Sequence, residues 1–190
     1  MSEAELIKRL KSGDREAFNI LVREYESKII NIAYGILSDK EEALDASQEV
    51  FIRIYKNIDS FKGNSSLSTW IYRIAVNICR DGLRKRQRSA KTISIDTPVN
   101  DDEQIIDLPD SAPTPEQMTE KTEVQLLVRR AIDELSEEYR TVITLCDIEG
   151  LPYDKIAEII KCPTGTVKSR LNRARAALRR KISENRELFF

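Results

Sequence analysis

The chain has 190 residues, 41% hydrophobic and 33% charged, and its 31 Lys/Arg against 32 Asp/Glu leave a net charge of -1. That suffices for one ordinary domain or two small ones with folded cores, while six glycines and six prolines argue against a sheet-rich or low-complexity chain. Without histidine, and with Cys79, Cys146 and Cys162 far apart and no CxxC pair, the chain offers little support for structural zinc, disulfides or histidine acid/base chemistry.

Each cysteine reads as a small core residue. No stretch approaches the roughly 20 apolar residues of a membrane span, and the opening MSEAELIKRLKSGD lacks a signal-peptide core, so a cytoplasmic protein is expected. The small net charge hides strong segregation. Residues 61–91 hold 8 basic against 1 acidic residue, a net of +7; residues 92–123 hold 1 against 9, a net of -8; residues 151–190 hold 10 against 4, a net of +6. Two basic blocks with an acidic spacer are the layout of two nucleic-acid contacts joined by a linker.

In chain order, Leu6, Ile7 and Leu10 begin a helical pattern. Phe18, Leu21, Val22 and Tyr25 form a second, continued by Ile29, Ile32, Ala33, Ile36 and Leu37. Ser38 or Asp39 is then placed to cap a helix that exposes Glu41, Asp45, Gln48 and Glu49 along one side, with Leu44, Val50, Phe51, Ile54 and Tyr55 as its apolar surface. Without histidine or a second acidic helix of matching pattern, that stripe reads as a solvated or protein-docking face rather than a metal site.

After Phe61 comes the polar loop KGNSSLS, where Gly63-Asn64 marks a turn and Ser68 is a candidate cap. In the helix that follows, Ile71, Ile74, Ala75, Ile78 and Leu83 face the core. The other face presents Arg73, Asn77, Arg80 and Arg84 at i, i+4, i+7 and i+11 and ends in Arg84-Lys85-Arg86. An aromatic-bearing loop beside such a helix suits single-stranded DNA, whose bases can be pocketed while phosphates meet arginines; Trp70 itself reads as core.

Residues Tyr153 to Arg180 give two helical patterns joined by a tight turn. Ile156, Ala157, Ile159 and Ile160 are the buried side of the first, which breaks at Lys161-Cys162-Pro163. Thr164 restarts the chain with a hydroxyl suited to capping, and Val167, Leu171, Ala174 and Leu178 recur at i, i+4, i+7 and i+11. Thr166, Ser169, Arg170 and Arg173 occupy the opposite side, flanked by Lys168 and Asn172. Arginine there forks onto guanine, asparagine onto adenine and lysine onto phosphate, which makes this a DNA-reading helix-turn-helix.

DASQEVFIRIYKNIDSF (45–61), STWIYRIAVNICRDGLRKR (68–86) and LSEEYRTVITLCDIEGLPYDKIAEIIKCPTGTVKSRLNRARAALRR (135–180) together resemble the extracytoplasmic-function group of bacterial sigma-70 family RNA polymerase sigma factors. The resemblance implies an all-α protein of two small helical domains, 1–90 and 123–190, joined by an acidic flexible linker, 91–122, with a helix start near Pro115-Glu116. It implies a non-catalytic initiation factor, without cofactor or small-molecule substrate, that binds core polymerase, directs it to promoters and helps melt them in a stress or envelope response. Asp45, Gln48 and Glu49 match the face for the polymerase clamp coiled coil. Phe61, Asn64 and Ser65 fall in the loop that captures a base flipped from the single-stranded minus 10 element, beside Arg73, Asn77, Arg80 and Arg84. Thr166, Lys168, Ser169, Arg170, Asn172 and Arg173 match the reader of the duplex minus 35 element. The linker matches a segment threaded along the polymerase's RNA path, and an anti-sigma factor, often membrane-anchored in this family, is an implied partner.

Lys161 departs from the glycine or asparagine that often eases the turn, so a strain of roughly 1 kcal/mol is expected there. Asn172 and the loop composition from Gly63 to Ser66 are individual to this chain and leave base preference open. The rival reading is a helix-turn-helix regulator that binds duplex DNA without joining polymerase. It requires a dimerisation element, and neither a heptad nor a second long apolar face is present. A nuclease, the third class, would need a metal or nucleophile constellation that the sequence does not offer.

Overall fold

The computed structural model describes residues 1–92 and 115–189. Among these residues all regular structure is helical: α1 (Glu3–Lys11), α2 (Arg15–Leu37), α3 (Lys40–Asn57), a 3-10 turn (Ile58–Ser60), α4 (Leu67–Thr92), α5 (Pro115–Asp133), α6 (Glu137–Ile143) running into a π-helical turn (Thr144–Ile148), α7 (Tyr153–Ile160) and α8 (Thr164–Phe189). The middle of the expected acidic linker, 93–114, lies outside the described residues. No helix among them is long and apolar enough to cross a membrane.

Local chemistry sets the helix boundaries. Ser2 caps α1 by accepting the Glu5 N–H at 3.2 Å. The chain then turns at Gly13, whose φ of 76° favours a residue without a side chain, and Asp14 caps α2 by accepting from the Glu16 and Ala17 amides. The apolar pattern that runs from Phe18 to Leu37 is one uninterrupted helix. It stops at Ser38, which is left-handed at φ 64°, and of the two candidate caps for α3 it is Asp39 that accepts the Glu42 N–H, at 2.8 Å.

Two expected caps are corrected. Helix α4 starts at Leu67, whose buried side chain anchors its first turn, so Ser66 rather than Ser68 accepts the Thr69 amide, at 3.2 Å. Helix α8 starts at Thr164, and the Pro163 carbonyl takes the Thr166 and Val167 amides at 2.8 and 3.2 Å. The Thr164 hydroxyl donates to Asp154 instead, at 3.4 Å.

Packing then follows the periodicity. Leu21, Ile29, Ile32, Ile36, Ile54, Leu67 and Ile71 are fully buried where α2, α3 and α4 meet. Ile143, Leu145, Ile156, Ile159 and Leu171 do the same where α8 meets α6 and α7. Each such side chain contributes about 1.5–3 kcal/mol relative to exposure. Cys79 is buried in the core, with burial pushing its thiol up to about 12, while Cys146 and Cys162 are partly buried and pack against it. The two halves do not merely share a tether. Helices α2 and α4 pack against α6, the π-turn and α7, and the apolar cores merge into one cluster.

Candidate nucleic-acid interface

The helix-turn-helix is held from both sides. Helix α7 buries Ile156, Ala157, Ile159 and Ile160, and α8 buries Val167, Leu171 and Ala174. Between them Lys161 adopts φ 55°, ψ 53°, the left-handed conformation that the missing glycine leads one to expect. Arg175 clamps α8 to the π-turn, with Nη2 at 2.5 Å and Nε at 3.1 Å from the two Asp147 carboxylate oxygens. That bond holds the Asp147 carboxyl below its ordinary range and raises the guanidinium. Beside it the Cys146 thiol is raised, first by burial.

These supports leave Lys168, Ser169, Asn172 and Arg173 on the exposed side of α8, with Thr166 and Arg170 half-buried at its edge. Arg170 Nη2 lies 3.2 Å from Glu138 Oε1 of α6, and the Ser169 hydroxyl donates to the Thr166 carbonyl at 3.0 Å. Lys168, Asn172 and Arg173 carry no ion pair or hydrogen bond among the described residues. Side chains in this condition can approach a groove without first breaking a protein contact.

The loop before α4 is built differently from expectation. Phe61 is 4% exposed and packs on Trp70 at 5.3 Å between ring centres, so its side chain is a floor under the loop rather than a contact surface. An aromatic at this position is drawn inward because its burial outweighs anything it gains at the surface. Asn64 is exposed in the turn that Gly63 permits at φ 72°, and Ser65 is half-buried. Along α4, Asn77 and Arg84 are exposed, Arg84 only loosely paired with Asp81 at 3.9 Å.

Arg73 and Arg80 are not open to solvent as their helical face suggests. Arg73 Nη2 donates to the Glu158 carbonyl of α7 at 2.9 Å, and Arg80 Nε sits 2.8 Å from Glu137 Oε1 at the start of α6, an ion pair without the alignment of a hydrogen bond. Lys155 donates to Ser68 at 2.6 Å, Arg140 to Ser38 at 2.9 Å and Arg129 to the Tyr34 carbonyl at 2.6 Å, with the Arg129 guanidinium 3.6 Å from the Tyr34 ring centre. Periodicity reports that a position is half-buried but not what buries it, which is why this seam escapes sequence reading.

Alongside its apolar packing the seam carries polar atoms that are imperfectly matched. Among its buried polar atoms, Arg80 Nε and Arg129 Nε are held by ion pairs rather than aligned hydrogen bonds, Arg129 Nε lying 3.3 Å from Asp133 Oδ1, while Arg73 Nε, Arg140 Nε and Thr144 Oγ1 have no hydrogen-bond partner among the described residues. A buried polar atom left without a hydrogen bond carries a desolvation cost that contact with water would relieve. Glu149 adds to this: burial raises its carboxyl against the opposing pull of Asn31 and Lys28 on α2.

On the far side of the first half, α3 presents Asp45 and Gln48 outward, with Glu49 partly exposed and paired to Arg53 at 2.8 Å. Val50 and Ile54 are buried, whereas Leu44, Ile52 and Tyr55 are 41%, 46% and 59% exposed. The acidic stripe thus runs beside an outward apolar one. The sequence reading takes Leu44 and Tyr55 as part of one apolar surface with Val50 and Ile54 and leaves Ile52 out, so the i, i+8, i+11 strip goes unread. Among the described residues no His, Cys, Asp or Glu cluster is arranged to hold a metal ion.

Two family profiles match the chain: sigma-70 region 2 over residues 21–89 and sigma-70 region 4 over residues 125–178. The RNA polymerase sigma-H factor of Pseudomonas aeruginosa is 35% identical over 180 residues, covering 93% of this chain and 91% of that one. The ECF RNA polymerase sigma-E factor of Haemophilus influenzae is 37% identical over 185 residues, 96% of each chain. Among solved structures, the sigma factor RpoE of Bartonella quintana, crystallised with the anti-sigma factor NepR, is similar with a TM-score of 0.68 at 25% identity, over 87% of this chain and 96% of that one.

Proposed function

The chain belongs to the extracytoplasmic-function group of sigma-70 family RNA polymerase sigma factors, and on that premise we propose how its surfaces divide the work. It is a non-catalytic factor that directs RNA polymerase to promoters. Residues 1–90 serve core binding and the minus 10 element, 123–190 serve the minus 35 element, and 91–122 link them. Lys168, Ser169, Asn172 and Arg173 of α8, with Thr166 and Arg170 at the edge, read duplex major groove. The observation that carries this is their exposure on a helix clamped by Arg175–Asp147 and by its buried Val167–Leu171 side.

Asn64, Ser65 and Asn77, with Arg84 on the phosphates, take the unstacked minus 10 strand, and buried Phe61 supports the loop from below. Arg73 and Arg80 join them only when the second half moves off α4. Asp45, Gln48 and Glu49 dock on the polymerase clamp together with Leu44, Ile52 and Tyr55, since an apolar strip rimmed by charge is the composition of a protein interface. An anti-sigma factor, as in the Bartonella complex, is the fitting regulator, anchored in a membrane or free. Membership of the group supports a stress or envelope response, and work on polymerase and DNA supports a cytoplasmic location.

The test is capture of polymerase subunits by the tagged chain from bacterial lysate, followed by run-off transcription and footprinting with purified core. A discrete start site with protection at both elements supports the division. Core binding without minus 35 protection contradicts the role given to α8.

A further inference from the structure

Helix α1 lies before the segment matched by the region 2 profile, which begins at residue 21, yet it grips both ends of the loop given above to the unstacked strand. Lys11 Nζ donates to the Phe61 carbonyl at 2.7 Å, where the loop begins. Glu3 Oε1 accepts the Leu67 N–H at 3.2 Å, where the loop ends and α4 starts. These two residues are eight apart on the helix, so on a rise of about 1.5 Å per residue their backbones are spaced about 12 Å along one side.

Both contacts satisfy groups that would otherwise be free. Phe61 closes the 3-10 turn, so its carbonyl has left regular structure, and the Leu67 amide is one of the unpaired donors that open α4. The charges suit their places: a carboxylate at the start of α4, and an ammonium at the end of α1, each stabilised by the helix dipole. A carboxylate beside a strand-binding loop opposes DNA phosphates. Its placement is therefore accounted for by the bond it makes to the protein.

Helix α1 is also rigidly mounted. Leu6 and Leu10 are buried, and Arg9 Nε lies 2.7 Å from Asp14 Oδ2, the residue that caps α2, locking the corner between the two helices. A stiff element is thereby fixed to the first half at one side and to the loop's two ends at the other.

We propose that Lys11 and Glu3 are positioning residues for promoter opening, setting the span and shape of the 62–66 loop so that it accepts one base of the displaced strand over others. This rests on the reading of that loop given above. Neither residue touches DNA; both act through the backbone of Phe61 and Leu67. Sequence reading missed them because Lys11 looks like a solvated helix-end lysine and Glu3 like a first-turn acid.

The experiment uses holoenzyme reconstituted from core polymerase and full chain carrying Lys11→Met, Glu3→Gln, Lys11→Arg or Asn64→Ala. It reads the rate of open-complex formation and the preference among the four bases at the flipped minus 10 position. Thermal unfolding of each free variant is followed in parallel. Losing one such bond should slow opening and flatten base preference about 5- to 10-fold for Lys11→Met, less for Glu3→Gln, out of proportion to any fall in melting temperature, with core binding unchanged and Lys11→Arg restoring wild-type preference. Wild-type preference in both Lys11→Met and Glu3→Gln, alongside a defective Asn64→Ala, overturns the brace and leaves the loop reading intact. Wild-type preference in Asn64→Ala as well overturns the loop reading and the brace with it. A uniform loss that tracks a lowered melting temperature in both brace variants assigns them a structural role only and also overturns the proposal.

Discussion

Gly35 of α2 and Thr144 of the π-turn approach so closely that a Cβ added at 35 would overlap Thr144 Oγ1 and lie 2.5 Å from its Cγ2. Within an isolated helix the same change is favourable, since glycine costs roughly 0.5–1 kcal/mol relative to alanine in a helix interior. The two effects act on different links: one on α2, the other on the seam between the halves.

Gly35→Ala is therefore expected to keep or raise helix content while loosening the seam. Fluorescence energy transfer between dyes at Ser27 and Ser183 should report a longer mean separation than in wild type. Binding of a single-stranded minus 10 oligonucleotide to the free chain should rise as Arg73 and Arg80 are released. An unchanged separation would show that the seam yields elsewhere to admit the methyl group.

The seam should also respond to pH through Glu149. Its carboxyl is raised by burial, so the neutral form is favoured in the packed state. A raised carboxyl contributes stability that is present below its unfolded value, about 4.3, and is lost as pH rises through the higher packed value. Above the unfolded value its burial is a penalty, so Glu149→Gln should raise the melting temperature at pH 7. The advantage should shrink toward zero below about pH 4, as the ordinary carboxylate range implies. A pH-independent difference would assign the effect to packing.

Lys161 sits in left-handed backbone at φ 55° with its side chain exposed. Lys161→Gly should stabilise the helix-turn-helix by up to about 1 kcal/mol, and Lys161→Val should destabilise it, since a β-branched residue tolerates this region least. Chemical denaturation of the chain carrying each variant separates them. A stabilised valine variant would mean that the turn relaxes in solution.

Much of this architecture is legible in the order of residues. Val167, Leu171 and Ala174 announce α8 because burial repeats with the helix period, and Lys161 signals its own strain because a turn of that shape constrains φ. Ser68 and Thr164 stand two residues and one residue past the groups that cap, since neighbouring hydroxyls compete and buried Leu67 decides the first of them. Phe61 reads as a DNA contact because an aromatic in a polar loop looks exposed, yet it packs on Trp70 and is buried. The partners of Arg73 and Arg80 come from residues 137 and 158, and single-sequence periodicity carries no information about such distant pairings.

Reversing the charge of both Asp45 and Glu49 should impair core binding while leaving the first half folded, because exposed carboxylates contribute little to folding and much to a complementary partner. The effect should weaken as salt is raised. Circular dichroism and a polymerase titration address the two halves of this expectation. Normal affinity in the folded double variant would return the α3 face to an ordinary solvated surface.

The division between a single-strand reader on the first half and a duplex reader on the second is tested most directly by permanganate reactivity of unpaired thymines. Holoenzymes carrying Asn77→Ala or Arg173→Ala are compared on a fully paired promoter and on one pre-melted at the downstream edge of the minus 10 element. Flipping a base costs a few kcal/mol, which the pre-melted template has already met. Asn77→Ala should be defective on paired DNA and largely rescued by the bubble. Arg173→Ala, which loses roughly 1–3 kcal/mol of base-edge recognition in intact duplex, should gain far less. Equal rescue of the two variants would contradict the division.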